Sequence, residues 1–466
     1  MANRSAVDPD LLRRYDRPGP RYTSYPTAPQ FSTGFGEAQL RDAALVSNGD
    51  PIPRRLSLYV HVPFCMSPCF YCGCNRIITR DLARGESYLA RLYREIDMVS
   101  ALFDRDREVI QLHFGGGTPN FLSPAQLQDV VDCLRRHFLF SSSPERDLSI
   151  ELDPRFISAS DVAALGAIGF DRASFGVQDF DPQVQAAVNR IQGVEETRAV
   201  VDACRANGFR SVNIDLIYGL PKQTIAGFTR TLDTVVAMRP DRLAVYSYAH
   251  MPNLFKAQQQ IDAADLPDAD TKLGLLQLAI DTLTNAGYEY IGMDHFALPD
   301  DALARAQHSG NLHRNFMGYT THADSDLVGL GVSAISHVGS SFSQNPRDLP
   351  SWQVAIDNGR LPVARGMTLS DDDLLRADLI QQLMCQGEVP VAALERRYAI
   401  DFDAYFADAL LQLEPLAADG LVRRETGRIL ATTQGRLLLR NIAMCFDKYL
   451  PPPASAEAMP RFSRAI

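Results

Sequence analysis

The sequence predicts an α/β fold: a full or partial (β/α) barrel with an N-terminal extension before it and a small, mainly helical, winged-helix-like domain after it. Three observations carry this. Short apolar runs alternate with longer stretches whose apolar residues recur at helical spacing, the pattern of βαβ units and a parallel sheet. Polar or glycine-rich motifs follow the apolar runs directly, where the active rim of a barrel would be. Beyond about residue 365 the alternation gives way to helical patterns and one short hairpin.

Residues 1–50 form the extension. Its segment "GPRYTSYP" (19–26) is held out of helix by prolines and offers Arg21, Tyr22, Thr23 and Tyr25. Such a segment either drapes over the barrel mouth or packs as a tail. The barrel spans 51–365. Its expected strands are 56–62, 109–114, 148–152, 172–177, 211–219, 242–249 and 288–293; its expected helices are 86–103, 124–138, 160–168, 194–207, 223–238 and 271–286. In the last domain, 366–466, "LSDDDLLRADLIQQLM", "VPVAALERRYAI" and "FDAYFADALLQLEPLAADG" read as helices, the last stopped by Gly420. "LVRRETGRILATT" reads as a hairpin and "QGRLLLRNIAMCF" as a final helix.

The formal charge is -10 with a pI near 5.4. That excludes broad binding to nucleic acid or anionic membranes, which needs a basic footprint. The arginines near the hairpin (Arg423, Arg424, Arg428, Arg436, Arg440) are interleaved with acids and do not change this. The opening residues lack the apolar core of a secretory leader, and no apolar run spans a bilayer. A cytoplasmic protein is expected, with a monomer as the default. In that compartment clustered thiols bind metal or do chemistry instead of pairing as disulfides.

The thiols cluster in "CMSPCFYCGCN" (65–75). Cys65, Cys69 and Cys72 have C-x3-C-x2-C spacing, and Cys74 adds an x1 step. Structural zinc takes two separated knuckles, and no second knuckle is near. One compact loop of thiolates suits a [4Fe–4S] cube. Three thiolates leave the fourth iron open for another ligand. Phe64, Phe70 and Tyr71 would keep water away from it. Cys133, Cys204, Cys385 and Cys445 are scattered among apolar neighbours and read as buried hydrophobes. "GGGTP" (115–119), "ELDP" (151–154), "GVQDF" (176–180) and "DLIYGLP" (215–221) end their own strands on the same rim. Gly115, Gly116 and Gly117 permit close backbone approach to a ligand.

C-x3-C-x2-C after the first strand of a (β/α) barrel resembles the signature of radical S-adenosylmethionine (SAM) enzymes, so the barrel is expected to be a partial one of the radical SAM type. "RPGPRYTSYPTAPQF", "CGCN", "GGGTP", "GVQDF", "NIDLIYGLPKQT", "YAHMP", "GMDHFA" and "HRNFMGYTT" together resemble the oxygen-independent coproporphyrinogen III oxidase family, from about residue 15 to the C-terminus. The resemblance implies anaerobic haem biosynthesis. Coproporphyrinogen III, a tetrapyrrole, would lose carbon dioxide from two propionates to give protoporphyrinogen IX, with an electron donor serving the cluster.

It further implies one [4Fe–4S] cluster on Cys65, Cys69 and Cys72 and two molecules of SAM beside it. Tyr59, Gly116, Glu151 and Ile335 match the first SAM site. Tyr71, Gly117, Thr118, Gln178, Arg190, Asp215 and Ala249 match the second. Carboxylates such as Glu151 and Asp215 can accept from ribose hydroxyls, and Arg190 can pair with a methionine carboxylate. Cys74 is expected to be catalytic and not a ligand, and Arg21 to anchor a substrate propionate. Met317 stands where relatives are expected to carry glutamine; it cannot donate a hydrogen bond and is not counted as a contact. A haem chaperone and a radical SAM methyltransferase are the alternatives. The chaperone reading is opposed by the N-terminal extension, Cys74 and "HRNFMGYTT".

Overall fold

The structure, a computed structural model, describes residues 9–450 together with Phe462 and Arg464. Residues 1–8, on which the reading of no leader partly rests, lie outside the described residues. Two compact units are interleaved along the chain: Phe31–Pro267 with Asp324–Thr368, and Met1–Gln30 with Asp268–Ala323 and Leu369–Ile466.

The first unit is a single open sheet with helices in the crossovers. Its strands are β1 (Arg55–Val62), β2 (Glu108–Gly116), β3 (Asp147–Leu152), β4 (Arg172–Gln178), β5 (Ser211–Tyr218), β6 (Arg242–Ser247), β7 (Ser325–Leu330), β8 (Ile335–Val338), β9 (Ser341–Gln344) and β10 (Arg365–Thr368). They lie in the order β6-β5-β4-β3-β2-β1-β7-β8-β9-β10. All pairs from β6 to β7 are parallel, and those from β7 to β10 antiparallel. β6 and β7 are not paired with each other, so the barrel is partial. Leu56, Leu58, Val60, Leu112, Phe114 and Ile150 are fully buried, as strands covered on both faces require.

The crossovers carry α1 (Ala83–Ser100), α2 (Pro124–His137), α3 (Ala159–Ile168), α4 (Val194–Ala206) and α5 (Ile225–Met238). Their starts are legible chemically. Ser123 accepts from the Gln126 N–H at 3.2 Å, and the Gln126 side chain takes the Ser123 N–H at 3.0 Å, a reciprocal cap. Ser158 and Asp161 repeat the device in α3, which Gly169 ends at φ +112°.

The expected strand at 288–293 forms at Glu289–Gly292, at the end of the sheet's strand order. Glu289–Gly292 folds back antiparallel on His295–Ala297 in the second unit. The seventh parallel strand is instead β7, beside β1. It escaped the pattern because Gly329 interrupts its apolar run; a Cβ there would lie 2.5 Å from the Ile335 carbonyl.

In the second unit the helices Asp371–Gln386, Val391–Tyr398 and Ala407–Ala418 and the hairpin Val422–Glu425/Arg428–Ala431 appear as expected. Glu388–Val389 adds a third strand to the hairpin. The "GPRYTSYP" segment belongs here. Tyr22 and Tyr25 are 2% and 4% exposed in a core with Leu379, Leu383, Phe402 and Phe446. The compact units differ from the division at residues 50 and 365, which followed sequence character alone. No helix among the described residues is long and apolar enough to cross a membrane.

Candidate active site

The C-terminal ends of β1 to β5 meet around a cavity of about 170 Å³. The loop after β1 brings Cys65, Cys69, Cys72 and Cys74 to its wall. Arg76 keeps this loop curled: its guanidinium donates to the carbonyls of Cys69 and Cys72 at 3.2 and 3.1 Å. Cys65 and Cys69 are buried, Cys72 half-buried and Cys74 exposed. Burial pushes the Cys65 thiol up to about 11. A hydrogen bond from Cys74 draws the Cys72 thiol down, and the same contact pushes Cys74 up. Among the described residues no three His, Cys, Asp or Glu side chains close on a single-ion geometry. Three thiols facing one cavity without converging on a point fit a multi-iron cube, in which each thiolate meets its own iron.

The turn after β2 supplies the opposite wall. Thr118 Oγ1 lies 3.2 Å from Cys65 Sγ. Gly116 takes φ +115°, and a Cβ on it would lie 2.6 Å from the His61 ring; one on Gly117 would lie 2.7 Å from the Pro63 backbone. The glycines are therefore needed first for the close approach of the protein's own strands. That approach turns the Gly116 N–H onto Glu151 Oε2 at 3.3 Å.

Glu151 on β3 and Asp215 on β5, with β4 between them, sit in different states. Burial raises Glu151, but His113, 3.3 Å away, and the Gly116 N–H outweigh it and hold the carboxyl below the usual range. Asp215 is pushed up to about 7 by burial and by the charge of Glu151, against hydrogen bonds from Asn213 at 2.8 Å and Ser174 at 3.2 Å. Two carboxylates so placed divide the roles of fixed anion and titratable group. Tyr59 stacks on His113 with centroids 5.9 Å apart, and its hydroxyl reaches His61 Nδ1 at 3.1 Å.

Arginines crowd Cys69. Arg190, 6% exposed, reaches its sulfur at 3.4 Å and Asp153 at 3.1 Å. Arg155 reaches the same sulfur at 3.5 Å and also pairs with Asp153. Gln178 holds φ +71° at a register shift in β4. A bulge of this kind re-aims a side chain at a site.

Of the sequence-predicted residues, Cys65, Cys69, Cys72, Cys74, Tyr71, Gly116, Gly117, Thr118, Glu151, Gln178, Arg190 and Asp215 line the one cavity. Tyr59, Ala249 and Ile335 do not. Ala249 is tied to the loop indirectly: Gln258 donates to the carbonyls of Tyr71 at 2.9 Å and Ala249 at 3.2 Å. Ile335 packs its backbone on Gly329, the β7 partner of Tyr59. Arg21 lies in the second unit, paired with Asp294. Sequence reasoning passed over Arg76, Asp153, Arg155, His61, His113 and Gln258. "ELDPRF" and "YVHV" contain three of them, and their position at strand ends was the available signal.

Residues 59–235 match the model of the radical SAM superfamily, and residues 369–438 match the HemN C-terminal domain. The chain is 52% identical to the oxygen-independent coproporphyrinogen III oxidase of Pseudomonas aeruginosa and 48% identical to that of Escherichia coli, covering 98% of each chain in both cases. The solved structure of E. coli coproporphyrinogen III oxidase (HemN), described as a radical SAM enzyme, superposes with a TM-score of 0.90 at 47% identity, over 96% of this chain and 99% of that one. A cysteine loop after β1, a partial barrel and near full-length similarity agree, and the chain belongs to the oxygen-independent coproporphyrinogen III oxidases of the radical SAM superfamily.

Proposed function

We propose that this chain converts two propionate side chains of coproporphyrinogen III to vinyl groups without oxygen, giving protoporphyrinogen IX. Near full-length identity to enzymes named for that substrate carries the reading. At each propionate a β-hydrogen, carbon dioxide and one further electron leave. When bound, the [4Fe–4S] cluster and SAM supply the 5′-deoxyadenosyl radical that takes the hydrogen.

The chain's own residues bind, orient and shield. Cys65, Cys69 and Cys72 would hold the cluster, with Arg155 and Arg190 within reach of the Cys69 sulfur. Two SAM molecules are proposed. Tyr59, Gly116, Glu151 and Ile335 would hold the first; Tyr71, Gly117, Thr118, Gln178, Arg190, Asp215 and Ala249 would hold the second. Ionised Glu151 is suited to accept from ribose hydroxyls. Asp215, pushed up to about 7 and so divided between its two forms near pH 7, can donate or accept. Cys74, exposed beside Cys72 and outside the ligand triple, would serve in hydrogen or electron transfer. Arg21 contributes a cation for a substrate carboxylate once Asp294 yields it. A one-electron donor must serve the cluster.

The test is an anaerobic assay of reconstituted protein with coproporphyrinogen III, SAM and a reductant, reading protoporphyrin after oxidation. Formation of protoporphyrin with release of 5′-deoxyadenosine is expected. Haem retention without decarboxylation would replace this reading with the chaperone one.

A further inference from the structure

A second cavity, about 430 Å³, lies in the barrel unit and shares no lining residue with the first. Part of its wall is the same cysteine loop: Pro63, Asn75 and Ile77 face it. Pro63 is two residues from Cys65 and Asn75 three from Cys72. With Cα atoms 3.8 Å apart along the chain, those separations cannot exceed about 8 and about 11 Å. One loop thus borders the reaction cavity and a separate opening.

The charge of that opening departs from the rest of the molecule. Arg84, near the start of α1, and Arg347 both line it. Among the described residues neither guanidinium has a hydrogen bond or ion pair; Arg84 rests over the Phe64 ring at 5.9 Å. Farther along α1, Arg91 and Arg94 are both paired with Asp357. The one carboxylate in the wall, Asp348, is engaged in capping the helix Leu349–Asp357 through the Ser351 N–H at 2.8 Å. Arg84 and Arg347 against the one carboxylate of Asp348 leave the lining with a net positive charge in a chain of net charge -10, which favours an anionic partner. Exposed Ile78 and Leu82 flank the same loop and helix, 41% and 57% exposed. Apolar anchors beside unpaired cations compose a protein-docking face.

We propose that this basic opening is the docking point of an acidic one-electron carrier protein, which reduces the cluster across the residue 63–77 loop. The proposal rests on the reading that Cys65, Cys69 and Cys72 hold a reducible cluster. The step balances as one electron: a flavin hydroquinone anion on the carrier becomes the neutral semiquinone, the cluster gains the electron, and no proton or group moves. Complementary charge sets the rate of encounter and its salt dependence.

The experiment compares reconstituted wild type with the double variant Arg84→Glu, Arg347→Glu. The probe is an acidic FMN protein of the flavodoxin type, photoreduced, with the cationic radical of methyl viologen as second donor. At low ionic strength the double variant is expected to bind the flavoprotein at least about 10-fold more weakly and to be reduced at least about 10-fold more slowly. Added salt should slow the wild type toward the variant. Iron content and reduction by methyl viologen should be unchanged or faster. Equal binding and equal reduction by the flavoprotein overturn the proposal. So does a parallel loss with methyl viologen, which would mean that the substitutions distort the loop. Binding is read without the cluster, so it judges the docking face even if wild-type protein holds no reducible iron, the result that would sink the function above instead.

Discussion

Serine at each of four positions separates metal ligation from chemistry. Cys65, Cys69 and Cys72 are buried or half-buried on the cavity wall, while Cys74 is exposed, its backbone N–H directed at Cys72 Sγ at 3.4 Å. Cys65→Ser, Cys69→Ser or Cys72→Ser should each remove the brown iron chromophore, because one iron loses its thiolate. Cys74→Ser should keep iron and sulfide at wild-type levels and lose most decarboxylation. Equal iron loss in all four would make Cys74 a ligand. Arg21 allows a second separation. It is paired with Asp294, and that pairing holds the Asp294 carboxyl below its usual range against burial. If Arg21 also meets a propionate, Arg21→Ala should raise KM for the porphyrinogen by the worth of a charge-assisted hydrogen bond, about 1.5–3 kcal/mol. Asp294→Asn frees the cation and should lower KM. A purely structural pair would shift Tm in both variants and leave KM alone. The cysteines and glycines were legible because they form motifs, and Arg190 came only with the family resemblance. Asp153, Arg155, His113 and Gln258 were not, because each acts through a neighbour brought close only by the sheet.

At the level of elements, α1 is fastened to the strand ends by a carboxyl that the chemistry does not use. Glu95 is fully buried and accepts from the Gly331 N–H at 2.7 Å, Asn345 at 2.7 Å and the Trp352 indole at 3.2 Å. Burial pushes it up to about 7 despite those donors. A carboxyl raised in the fold contributes stability that is complete below its unfolded value near 4.3 and is lost as pH rises through about 7. Wild type should therefore lose on the order of 3 kcal/mol between pH 4.5 and 7.5 through this group alone. Glu95→Gln should be less stable at low pH, where one oxygen must serve three donors, and the gap to wild type should narrow as pH rises. Urea midpoints of both proteins at pH 5 and 7.5 check this; a constant gap would refute it. The helices were readable from period and caps, as Ser123 and Ser158 show. β7 was not, since Gly329 serves a close backbone approach that no apolar pattern encodes. The expected strand at 288–293 has the right composition but turns back at Gly292, φ +146°, and periodicity carries no information about its partner.

For the molecule as a whole, the character of the sequence changes over three consecutive stretches, while contacts between residues hundreds of positions apart group the chain into two interleaved compact units. The extension shows this most clearly. Leu11, Leu12, Tyr15, Tyr22 and Tyr25 are all buried in the second unit's core with residues after 370. The Tyr22 hydroxyl donates to Asp447 at 3.0 Å, Arg440 donates to the Pro20 carbonyl at 3.1 Å, and Asn441 donates to the Tyr15 carbonyl at 2.8 Å. Deleting residues 1–26 therefore removes five core side chains. It also strands Arg440, Asn441 and Asp447, which are 5%, 0% and 9% exposed. Large-to-small losses of about 2–5 kcal/mol at each site exceed the about 5–15 kcal/mol that holds a typical domain. The truncated chain should lose porphyrinogen turnover because the second unit no longer folds, whatever Arg21 does for substrate. Limited proteolysis should then cut within 268–323 and 369–450, which resist in the full chain, and the high-temperature melting transition should shrink. Arg21→Ala, which leaves the five apolar and aromatic anchors in place, should keep both the protease pattern and the transition. A truncated protein that melts and digests like the full chain would show that the segment is a removable tail, and loss of turnover in it would then fall to Arg21 and its neighbours at the substrate.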